Sequence, residues 1–348
     1  MGPSRVSMDS SLRWNDGTNL TFYTALMTSP NRPLRTHVVP YGKAAIDQAA
    51  RLIREGQPVA VPTETVYGLA ADATNPDAVA RIYEAKGRPG FNPLIVHVTG
   101  LDEAERIGTF SPAAKALART YWPGALTLVV PLWRDAGIAP AVSAGLPTVA
   151  IRCPAHPVMR DLLAASGRPL AAPSANASGT ISSTTAAHVV ATLDGRIPLV
   201  IDGGPTALGL ESTIVAVDDE GLRLLRPGPI DFAELAALAR LAAGGRPRGI
   251  EAPGQMASHY APAKPLRLNA AEAEPDEWLI GFGEVAGDDS LSATGDLAEA
   301  GANLFAALHR ADRTDRPRIA VAPVPDQGLG AAINDRLRRA AAPRQATG

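Results

Sequence analysis

Helix and strand patterns alternate along this chain from about residue 40, and this alternation constrains the fold more than any other feature. The first helix pattern is stopped by Gly56 and is followed by a short buried strand over 59–61. Asn75 then supplies an N-cap and Pro76 the first residue of a helix that ends near Gly87. Amphipathic helices that alternate with buried strands pack in layers, so the sequence predicts an α/β protein.

The same alternation continues to the end of the chain. The patterns predict strands over 94–98, 126–132, 148–152, 199–201, 213–217 and 222–225, and helices opened by Ser111-Pro112, Pro157 and Asp231. The last part follows the order strand, helix, strand, helix, over 278–282, 297–311, 319–324 and 331–341. So short a repeat of this order indicates parallel strands joined by a right-handed crossover.

The chain length indicates more than one domain, because 348 residues exceed the roughly 150 expected for a single one. Residues 1–34 lack a sustained periodicity, and we expect them to form a flexible extension. We predict a first domain over 35–243 and a second, smaller α/β domain over 265–343. A cluster rich in glycine and proline opens the connector predicted between them, over 244–264.

Composition excludes several classes of protein. The formal net charge of −2 argues against a protein that coats nucleic acid through its charge alone. A single cysteine, Cys153, excludes an internal disulfide framework and a zinc site built from cysteines, and it fits a reducing compartment. No apolar run approaches the ~18 residues of a membrane-spanning helix. We therefore expect a soluble, cytoplasmic protein.

Searches for common nucleotide and hydrolase motifs find one match. Residues 281–286 fit the glycine pattern of a dinucleotide site, but the following residues read as a loop, so a pyrophosphate would find no helix N-terminus. The P-loop, the zinc-protease helix and the hydrolase nucleophile elbow are missing from the sequence. Catalysis by a familiar nucleophile or zinc centre is therefore not indicated.

Polar segments between the buried strands carry the chemistry. Pro62–Leu69 follows a strand with hydroxyls and a carboxylate, in the position where open α/β sheets bind ligands. Lys86 and Arg88 lie on a short loop with Asn92 close behind, a set of donors that suits a phosphate chain. Cations at the end of a helix are also favoured by its dipole, so this segment alone leaves both interpretations open.

Other segments are ambiguous when taken singly. The small residues 174–179 can let a ligand approach the backbone, although a solvated turn is the better explanation when the segment is taken alone. Arg152 ends a predicted strand, and such an arginine is usually a surface residue. His97 lies in an apolar strand, where a core histidine is the default. His259 and Tyr260 stand in the connector, where an aromatic pair has little reason to pack.

Taken together, these segments resemble one family. Residues 62–69, 86–89, 92–97, 174–176 and 211–214 resemble the signature of YrdC-type domains, in order and with fitting spacing. The connector, with Pro253-Gly254 and His259-Tyr260-Ala261-Pro262, and the tail, with Ile333-Asn334-Asp335-Arg336, resemble the long, two-domain form. That form comprises the L-threonylcarbamoyladenylate synthases. The resemblance covers about residues 37–343.

The resemblance implies a fold and a reaction. The first domain would be a twisted mixed α/β sheet with a concave, YrdC-like cleft, the second would be small and Rossmann-like, and the connector would lie across the cleft. Enzymes of this family combine L-threonine, bicarbonate or CO₂, and ATP into threonylcarbamoyl-AMP and pyrophosphate. The product serves the threonylcarbamoyl modification of the tRNA adenosine next to the anticodon, which implies a hand-off to a tRNA threonylcarbamoyl transferase.

The resemblance also implies roles for individual residues. Lys86 and Arg88 would be catalytic, and Arg152 is the natural partner of the threonine carboxylate. ATP would be held by Arg88, Asn92, Thr148, Ser174, Ser182, Arg226, His259 and Tyr260, and L-threonine by Thr65, His97, Arg152, Ala172 and Ser212. ATP implies Mg²⁺ as its companion, held by phosphate oxygens and water, with no protein cage of carboxylates expected.

Two other functions stay open at this point. Related domains with a concave basic face suggest an RNA-binding module without synthase activity, and direct tRNA contact is uncertain. The near balance of acidic and basic residues means that any basic surface must be local. A carbamoyl transferase on the same fold is the third possibility, and the complete connector argues against it.

Overall fold

The computed structural model describes residues 34–218, 221–239, 249–256 and 258–343. The helices are α1 (Lys43–Arg54), α2 (Pro76–Lys86), α3 (Leu101–Ala104), α4 (Pro112–Tyr121), α5 (Pro140–Ser143), α6 (Pro157–Ser166), α7 (Ala186–Leu193), α8 (Phe232–Ala239), α9 (Leu297–Asp312) and α10 (Leu329–Ala341). The strands are β1 (His37–Pro40), β2 (Val59–Pro62), β3 (Tyr67–Asp72), β4 (Ile95–His97), β5 (Leu126–Pro131), β6 (Thr148–Arg152), β7 (Leu170–Ala171), β8 (Leu199–Asp202), β9 (Thr213–Asp218), β10 (Gly221–Arg226), β11 (Leu266–Arg267), β12 (Glu277–Gly281), β13 (Asp289–Ser290) and β14 (Arg318–Val321).

Local chemistry sets the ends of helix α2 as the sequence predicts. The Asn75 side chain accepts hydrogen bonds from the backbone amides of Asp77 and Ala78, and Pro76 takes the first helical position. Gly87 ends the helix in the left-handed conformation, with φ of 60°, which costs a glycine little. The loop that carries Lys86 and Arg88 therefore starts at a fixed point.

The first ten strands form one mixed sheet in the order β1-β8-β2-β3-β7-β4-β6-β5-β9-β10. Strands β4 and β6 are parallel, whereas β5 and β6, and β9 and β10, are antiparallel. This sheet, with helices packed against it, confirms the predicted mixed α/β class.

Helices cover the two faces of this large sheet unequally. One face packs against α2, α4, α7 and α8 along most of its width. On the other face, α1 and α6 cover the strands around β2 and β8. The remainder of that face, formed by apolar residues of β4, β5, β6, β9 and β10, meets Ala252 of the connector. The uneven cover leaves a hollow on this part of the sheet.

The last strands form a second, four-stranded sheet in the order β11-β14-β12-β13. All of its pairs are parallel, which confirms the pairing predicted from the strand and helix order. Helices α9 and α10 pack on it, and their apolar cluster also takes in Val66, Ile181, Leu210 and Tyr260. The two sheets therefore share one continuous apolar contact.

The dinucleotide-like glycine segment leads from β12 into a turn, and no helix follows it directly, as the sequence predicts. The loop predicted over 287–290 is wrong in part, because Asp289 and Ser290 form β13. Phe282 pairs with Val285, and the next helix, α9, begins at Leu297. A Cβ atom at Gly281 would stand 2.3 Å from the carbonyl oxygen of Val285, so the glycine serves close backbone packing. The segment thus has a structural explanation without a nucleotide.

The sequence pattern predicts a polar segment over 62–69 and no strand there, and this is wrong in part. Tyr67 already begins β3, which is buried throughout and pairs antiparallel with β2 and β7. The sequence pattern also does not predict seven short elements, namely α3, α5, α7, β1, β7, β11 and β13. The domain boundaries remain predictions, and the extension predicted over 1–34 lies, except for Leu34, outside the described residues. Among the described helices, none has the length and apolar character needed to cross a membrane.

Candidate active site

Six of the predicted site residues meet at one edge of the large sheet. His97 and Arg152 end the parallel strands β4 and β6 and are register partners. Because β5 runs antiparallel to β6 and parallel to β9, the start of β9 and the end of β10 reach the same edge. This edge brings together the side chains of Thr65, His97, Arg152, Ser174, Ser212 and Arg226.

A narrow cavity of about 40 Å³ lies at this edge. Residues of the connector and residues at the ends of the strands both contribute to its lining. Its lining contains ten of the predicted site residues: Thr65, Arg88, His97, Arg152, Ala172, Ser174, Ser212, Arg226, His259 and Tyr260. The structure therefore brings most of the predicted set into one place, whereas their individual roles stay predictions.

One wall of the cavity is built around Arg152. Its guanidinium donates to the Glu64 carboxylate at 2.6 Å and to the Thr65 hydroxyl at 2.9 Å. Burial alone would raise the pKa of Glu64, but the charge and hydrogen bond of Arg152 outweigh it and hold that pKa below its ordinary value. These contacts orient the Arg152 guanidinium group, and its remaining N–H donors are available for a ligand.

His97 belongs to the same wall and is not a satisfied core histidine. It is buried, and its Nδ1 atom has no hydrogen-bond partner. Burial, with the nearby charge of Arg152, lowers the pKa of His97 to about 3, so the ring is neutral at pH 7. A buried polar atom without a partner is costly, and a ligand in the cavity would relieve that cost.

A further part of the lining, the second wall, carries two arginines that have no carboxylate partner among the described residues. Arg88 donates to the carbonyl oxygens of Asn92 and Pro93, and Arg226 donates to the carbonyl and hydroxyl oxygens of Ser212. Burial lowers the pKa of Arg88 to about 10 and also lowers that of Arg226, yet both remain charged at neutral pH. Within the described ranges neither arginine forms an ion pair, so this wall favours an anion.

Lys86 lies behind that wall. Its ammonium group donates to the carbonyl oxygens of Ser174, at 2.6 Å, and of Asn176. Burial, and then the charge of Arg88, lowers the pKa of Lys86 well below its ordinary value. Lys86 thus fixes the small-residue loop that carries Ser174.

The connector passes directly over the arginines. Gly254 has φ of 86°, and a Cβ atom there would lie 2.8 Å from the Arg226 side chain and 2.9 Å from the Tyr260 hydroxyl. A larger residue would therefore be strained as well as crowded. The Nδ1 atom of His259 and the hydroxyl of Tyr260 are both buried without a hydrogen-bond partner.

The expectation that the connector's aromatic pair has little reason to pack was wrong for Tyr260. Its ring is 1% exposed and lies 5.5 Å from the ring of Phe305 on α9. The packing partner comes from the second sheet, which a local sequence pattern does not reveal. The apolar part of Tyr260 is thus anchored in that core, while its hydroxyl faces the cavity.

Four predicted residues do not line the cavity, namely Lys86, Asn92, Thr148 and Ser182. Asn92 donates to the sulfur of Met256 at 3.3 Å, and its Oδ1 atom is buried without a partner. Thr148 begins β6, the strand that Arg152 ends, about 13 Å away at 3.3 Å per residue. Ser182 donates to Glu211 at 2.5 Å.

Sequence reasoning did not select three polar residues that belong to the site. Thr63 and Glu211 line the cavity, and Glu64 supports Arg152 from behind. All three stand inside the motifs that carry the family resemblance, so membership of those motifs was the available signal. Thr63 bonds locally to Thr65 and Val66, whereas the partners of Glu64 and Glu211 come from distant parts of the chain.

Comparisons with known proteins agree with this geometry. Residues 51–228 match the Sua5/YciO/YrdC family, described as Telomere recombination, and residues 230–342 match the family described as Threonylcarbamoyl-AMP synthase, C-terminal domain. The threonylcarbamoyl-AMP synthase of Bacillus subtilis is 42% identical over 326 residues, which cover 86% of this chain and 93% of that relative. This chain belongs to the threonylcarbamoyl-AMP synthase family.

Two further comparisons fit this membership. The synthase of Pyrococcus abyssi is 39% identical over 316 residues, covering 84% of this chain and 92% of that family member. A crystal structure of Pyrococcus abyssi Sua5 complexed with L-threonine superposes with a TM-score of 0.79 at 37% identity. It covers 88% of this chain and 97% of that one. The two-domain architecture is therefore that of the long members of the family.

Proposed function

We propose that this protein converts L-threonine, bicarbonate and ATP into threonylcarbamoyl-AMP, pyrophosphate and water. The observation that carries this conclusion is the pair of buried arginines, Arg88 and Arg226, which line one cavity without a carboxylate partner in the described part of the chain. Such a wall suits a polyphosphate, since guanidinium groups bind phosphate oxygens strongly in a site of low dielectric constant. The names of the relatives support the same reaction.

Threonine would bind at the wall of the cavity that is built around Arg152. Arg152 suits its carboxylate, because a guanidinium group can donate two parallel hydrogen bonds to one. The Thr65 and Ser212 hydroxyls and the unpartnered His97 nitrogen stand close by for the polar groups of the amino acid. The threonine-bound Pyrococcus abyssi structure supports an amino-acid site in this fold.

The reaction needs positioning and charge neutralisation instead of a protein nucleophile. The threonine nitrogen attacks the carbon of CO₂ and loses a proton, or attacks bicarbonate with loss of water, and either route gives a carbamate. A carbamate oxygen then attacks the α-phosphorus of ATP, and the bond to the β-phosphate oxygen breaks as pyrophosphate leaves. Arg88 and Arg226 would offset the charge that moves to the leaving group, and the two walls would hold both reactants in line.

The connector must give way for ATP to bind. A cavity of about 40 Å³ holds a few water molecules, whereas ligand sites commonly measure ~300–1,000 Å³. The connector residues Pro253, Gly254, His259 and Tyr260 line the cavity, so they occupy space that the nucleotide would need. We propose that they move aside on binding and then close over the reactants, which excludes water from the reactive intermediate.

We propose that ATP enters with Mg²⁺. In the described residues, no group of three His, Cys, Asp or Glu side chains is arranged to hold a metal ion. Glu211, which lines the cavity, already binds Ser182 and Arg336. The ion would therefore be bound by phosphate oxygens and water, as is usual for Mg²⁺ with nucleotides. It would neutralise phosphate charge together with the arginines.

The wider role follows from the product. A threonylcarbamoyl adenylate is a mixed anhydride that hydrolyses in water, so we propose transfer to a tRNA-modifying threonylcarbamoyl transferase in the cytoplasm. The relatives' names favour this synthase function over an RNA-binding module without activity.

Pyrophosphate release tests the function. The wild-type protein should release pyrophosphate from ATP when bicarbonate and L-threonine are both present, and the nucleotide product should carry the mass of threonylcarbamoyl-AMP. Arg152→Met should raise the KM for threonine at least about 30-fold and change the KM for ATP less than about threefold, as expected when a charged hydrogen-bonding partner is lost.

Two further variants make this test decisive. Arg152→Lys keeps a buried charge opposite Glu64 but loses the planar fork, so it should fold and still raise the KM for threonine. Arg168→Met changes a half-exposed arginine whose nearest carboxylate is 3.7 Å away, and it serves as the matched control. Release that does not depend on threonine would disprove the proposed function.

A further inference from the structure

Arg336 of α10 crosses from the second sheet to the active-site edge of the first. Its side chain is completely buried, with 0% exposure. Its Nε atom donates to Oε2 of Glu211 at 3.0 Å, and its Nη1 atom donates to the carbonyl oxygen of Pro227 at 2.6 Å. Asp335, next to it on α10, also accepts from Nη1, at 3.1 Å. The buried guanidinium group of Arg336 therefore forms an ion pair with Glu211, which lies outside its own helix and sheet.

Glu211 occupies an unfavourable place for a carboxylate in a phosphate site. Among the described residues that line the cavity it is the sole acidic side chain, and it shares that lining with Arg88, Arg152 and Arg226. Its Oε1 atom accepts the Ser182 hydroxyl at 2.5 Å. A free carboxylate there would repel a triphosphate and could pair with the arginines that the triphosphate needs.

The same helix also holds the connector. The Arg339 guanidinium donates to the carbonyl oxygen of Met256 at 2.6 Å, and the backbone amide of His259 donates to the carbonyl oxygen of Arg339 at 3.2 Å. Arg336 itself lies 5.5 Å from the centre of the Tyr260 ring. Helix α10 therefore contacts the site both through Glu211 and through the connector.

We propose that Arg336 is a positioning residue of the synthase reaction, which neutralises Glu211 and so keeps the cavity receptive to the triphosphate of ATP. This inference rests on the proposed function. It gives the second sheet a direct part in nucleotide binding, since the residue that balances the cavity's carboxylate comes from its helix. Arg336 acts through Glu211 and does not itself line the cavity.

A double-mutant cycle tests the proposal with the full-length protein. Arg336→Met should raise the KM for ATP by at least about tenfold, because it leaves a buried carboxylate unpaired beside the phosphate site. Glu211→Gln should raise it by a smaller factor than Arg336→Met does, because no unpaired carboxylate is left beside the phosphates. Combining Glu211→Gln with Arg336→Met should lower the KM for ATP again, by at least about threefold relative to Arg336→Met alone. The KM for threonine should change less than about threefold throughout.

Two more variants separate charge from packing. Arg336→Lys retains the positive charge, so its KM for ATP should stay within about threefold of the wild type, and it provides a folded protein if Arg336→Met unfolds. Arg338→Met removes an arginine from the same helix that is 59% exposed and 3.7 Å from Asp326, and it should behave as wild type. A tenfold rise in KM for ATP with Arg336→Lys would overturn the proposal.

The outcomes also separate this inference from the proposed function. If the wild-type protein neither binds ATP nor releases pyrophosphate with threonine, the proposed function fails. If it does both, but the losses of Arg336→Met and Glu211→Gln multiply in the double variant instead of cancelling, the residues act independently and only this inference fails. Equal rises in the KM for ATP and for threonine would indicate general damage to the fold and would also overturn it.

Discussion

The four-stranded sheet and the active-site end of the ten-stranded sheet differ in how their buried charges are balanced. In the four-stranded sheet, the buried carboxylate of Glu277 accepts from Arg267 at 2.5 Å and pairs with Arg318 at 3.3 Å. The hydrogen bond from Arg267 lowers the pKa of Glu277 to about 2. At the active-site end of the ten-stranded sheet, Arg226 of β10 and Arg88 of the loop before β4 are buried with carbonyl and hydroxyl partners but without a carboxylate among the described residues.

This difference distinguishes residues that stabilise the fold from residues that bind a ligand. A buried charge is costly to dehydrate, and an opposite charge with good geometry offsets that cost. The small sheet supplies the opposite charge from its own strands. Other buried arginines of the large sheet likewise pair with carboxylates, namely Arg223 with Asp218 and Glu251, and Arg152 with Glu64. The charges of Arg88 and Arg226 at the cavity, by contrast, are left for a bound anion to balance. In this protein, therefore, the active site is marked by buried charged groups that no side chain of opposite charge balances among the described residues.

The strongest test of this comparison exchanges one arginine at the cavity and one arginine in the small sheet for methionine. Arg88→Met should lower kcat/KM for ATP by at least about 100-fold, as expected when a buried charged contact to phosphate is lost. Its melting temperature should fall little or rise, because a buried charge without an ionic partner is removed. Arg267→Met should show the reverse: a lower melting temperature, because Glu277 loses a partner, and kcat/KM within about twofold of the wild type.

Steady-state pyrophosphate release and thermal unfolding measure both effects on the same samples. If Arg88→Met lowers the melting temperature as much as Arg267→Met while retaining activity, the unpaired arginine is a structural residue. The contrast between the sheets would then have no functional meaning.

Local signals account for the elements that the sequence predicted well. Helix α2 carries its cap, its proline and its terminal glycine within the segment itself, and the structure has all three in place. Strand β3 has no such signal: its first residues stand in a polar motif, and it becomes a strand because β2 and β7 pair with it from either side. Tertiary pairing therefore decided what local propensity could not.

The active site likewise combines features that the sequence predicted with features that it did not. The order of the motifs predicted which segments would meet, and ten of the predicted residues line the cavity. The sequence could not show that Lys86 would hold the loop at Ser174, or that Glu211 would meet Arg336 from 125 residues away. Such contacts depend on how the two sheets are packed together. A motif thus predicts which residues meet more reliably than it predicts what each one does.

A smaller effect is expected where the two sheets meet at Tyr260. Its hydroxyl is buried without a partner, while its ring packs against Phe305. Tyr260→Phe should raise the free energy of unfolding by about 1 kcal/mol, because an unsatisfied group is removed, and raise the KM for ATP about three- to tenfold. Chemical denaturation and steady-state kinetics measure the two changes.

Tyr67→Phe is the matched control, since that hydroxyl donates to the carbonyl oxygen of Gly204 at 2.8 Å. Removing a satisfied hydroxyl should lower the free energy of unfolding by about 1 kcal/mol. If Tyr260→Phe also destabilises the protein, its hydroxyl is already satisfied in solution, and the cavity has less need of a ligand than the comparison implies.

The smallest effect concerns two histidines that are buried without charge at the contact between the sheets. His188 of α7 stacks on His309 of α9 with ring centres 3.8 Å apart, and His309 Nε2 lies 3.1 Å from the carbonyl oxygen of Ser182. Burial lowers the pKa of His188 to about 3 and that of His309 to about 4. Arg310 and Arg313 oppose protonation of the pair, and Asp312 favours it at His309.

These shifts predict acid sensitivity with a definite sign. Below pH 6.5 the unfolded chain binds protons at both histidines, whereas the folded protein does not until about pH 4, so stability falls as the pH is lowered through this window. Each histidine contributes at most about 1.4 kcal/mol per pH unit. His309→Gln should therefore give a shallower loss of stability than the wild type between pH 6.5 and 4.5, and the double variant with His188→Gln a shallower one still.

His97 and His259 also have lowered pKa values but are unchanged in these variants, so their contribution cancels in the comparison. Parallel curves for all three proteins would show that the stacked pair titrates alike in the folded and unfolded states, and that the contact between the sheets does not depend on its neutrality.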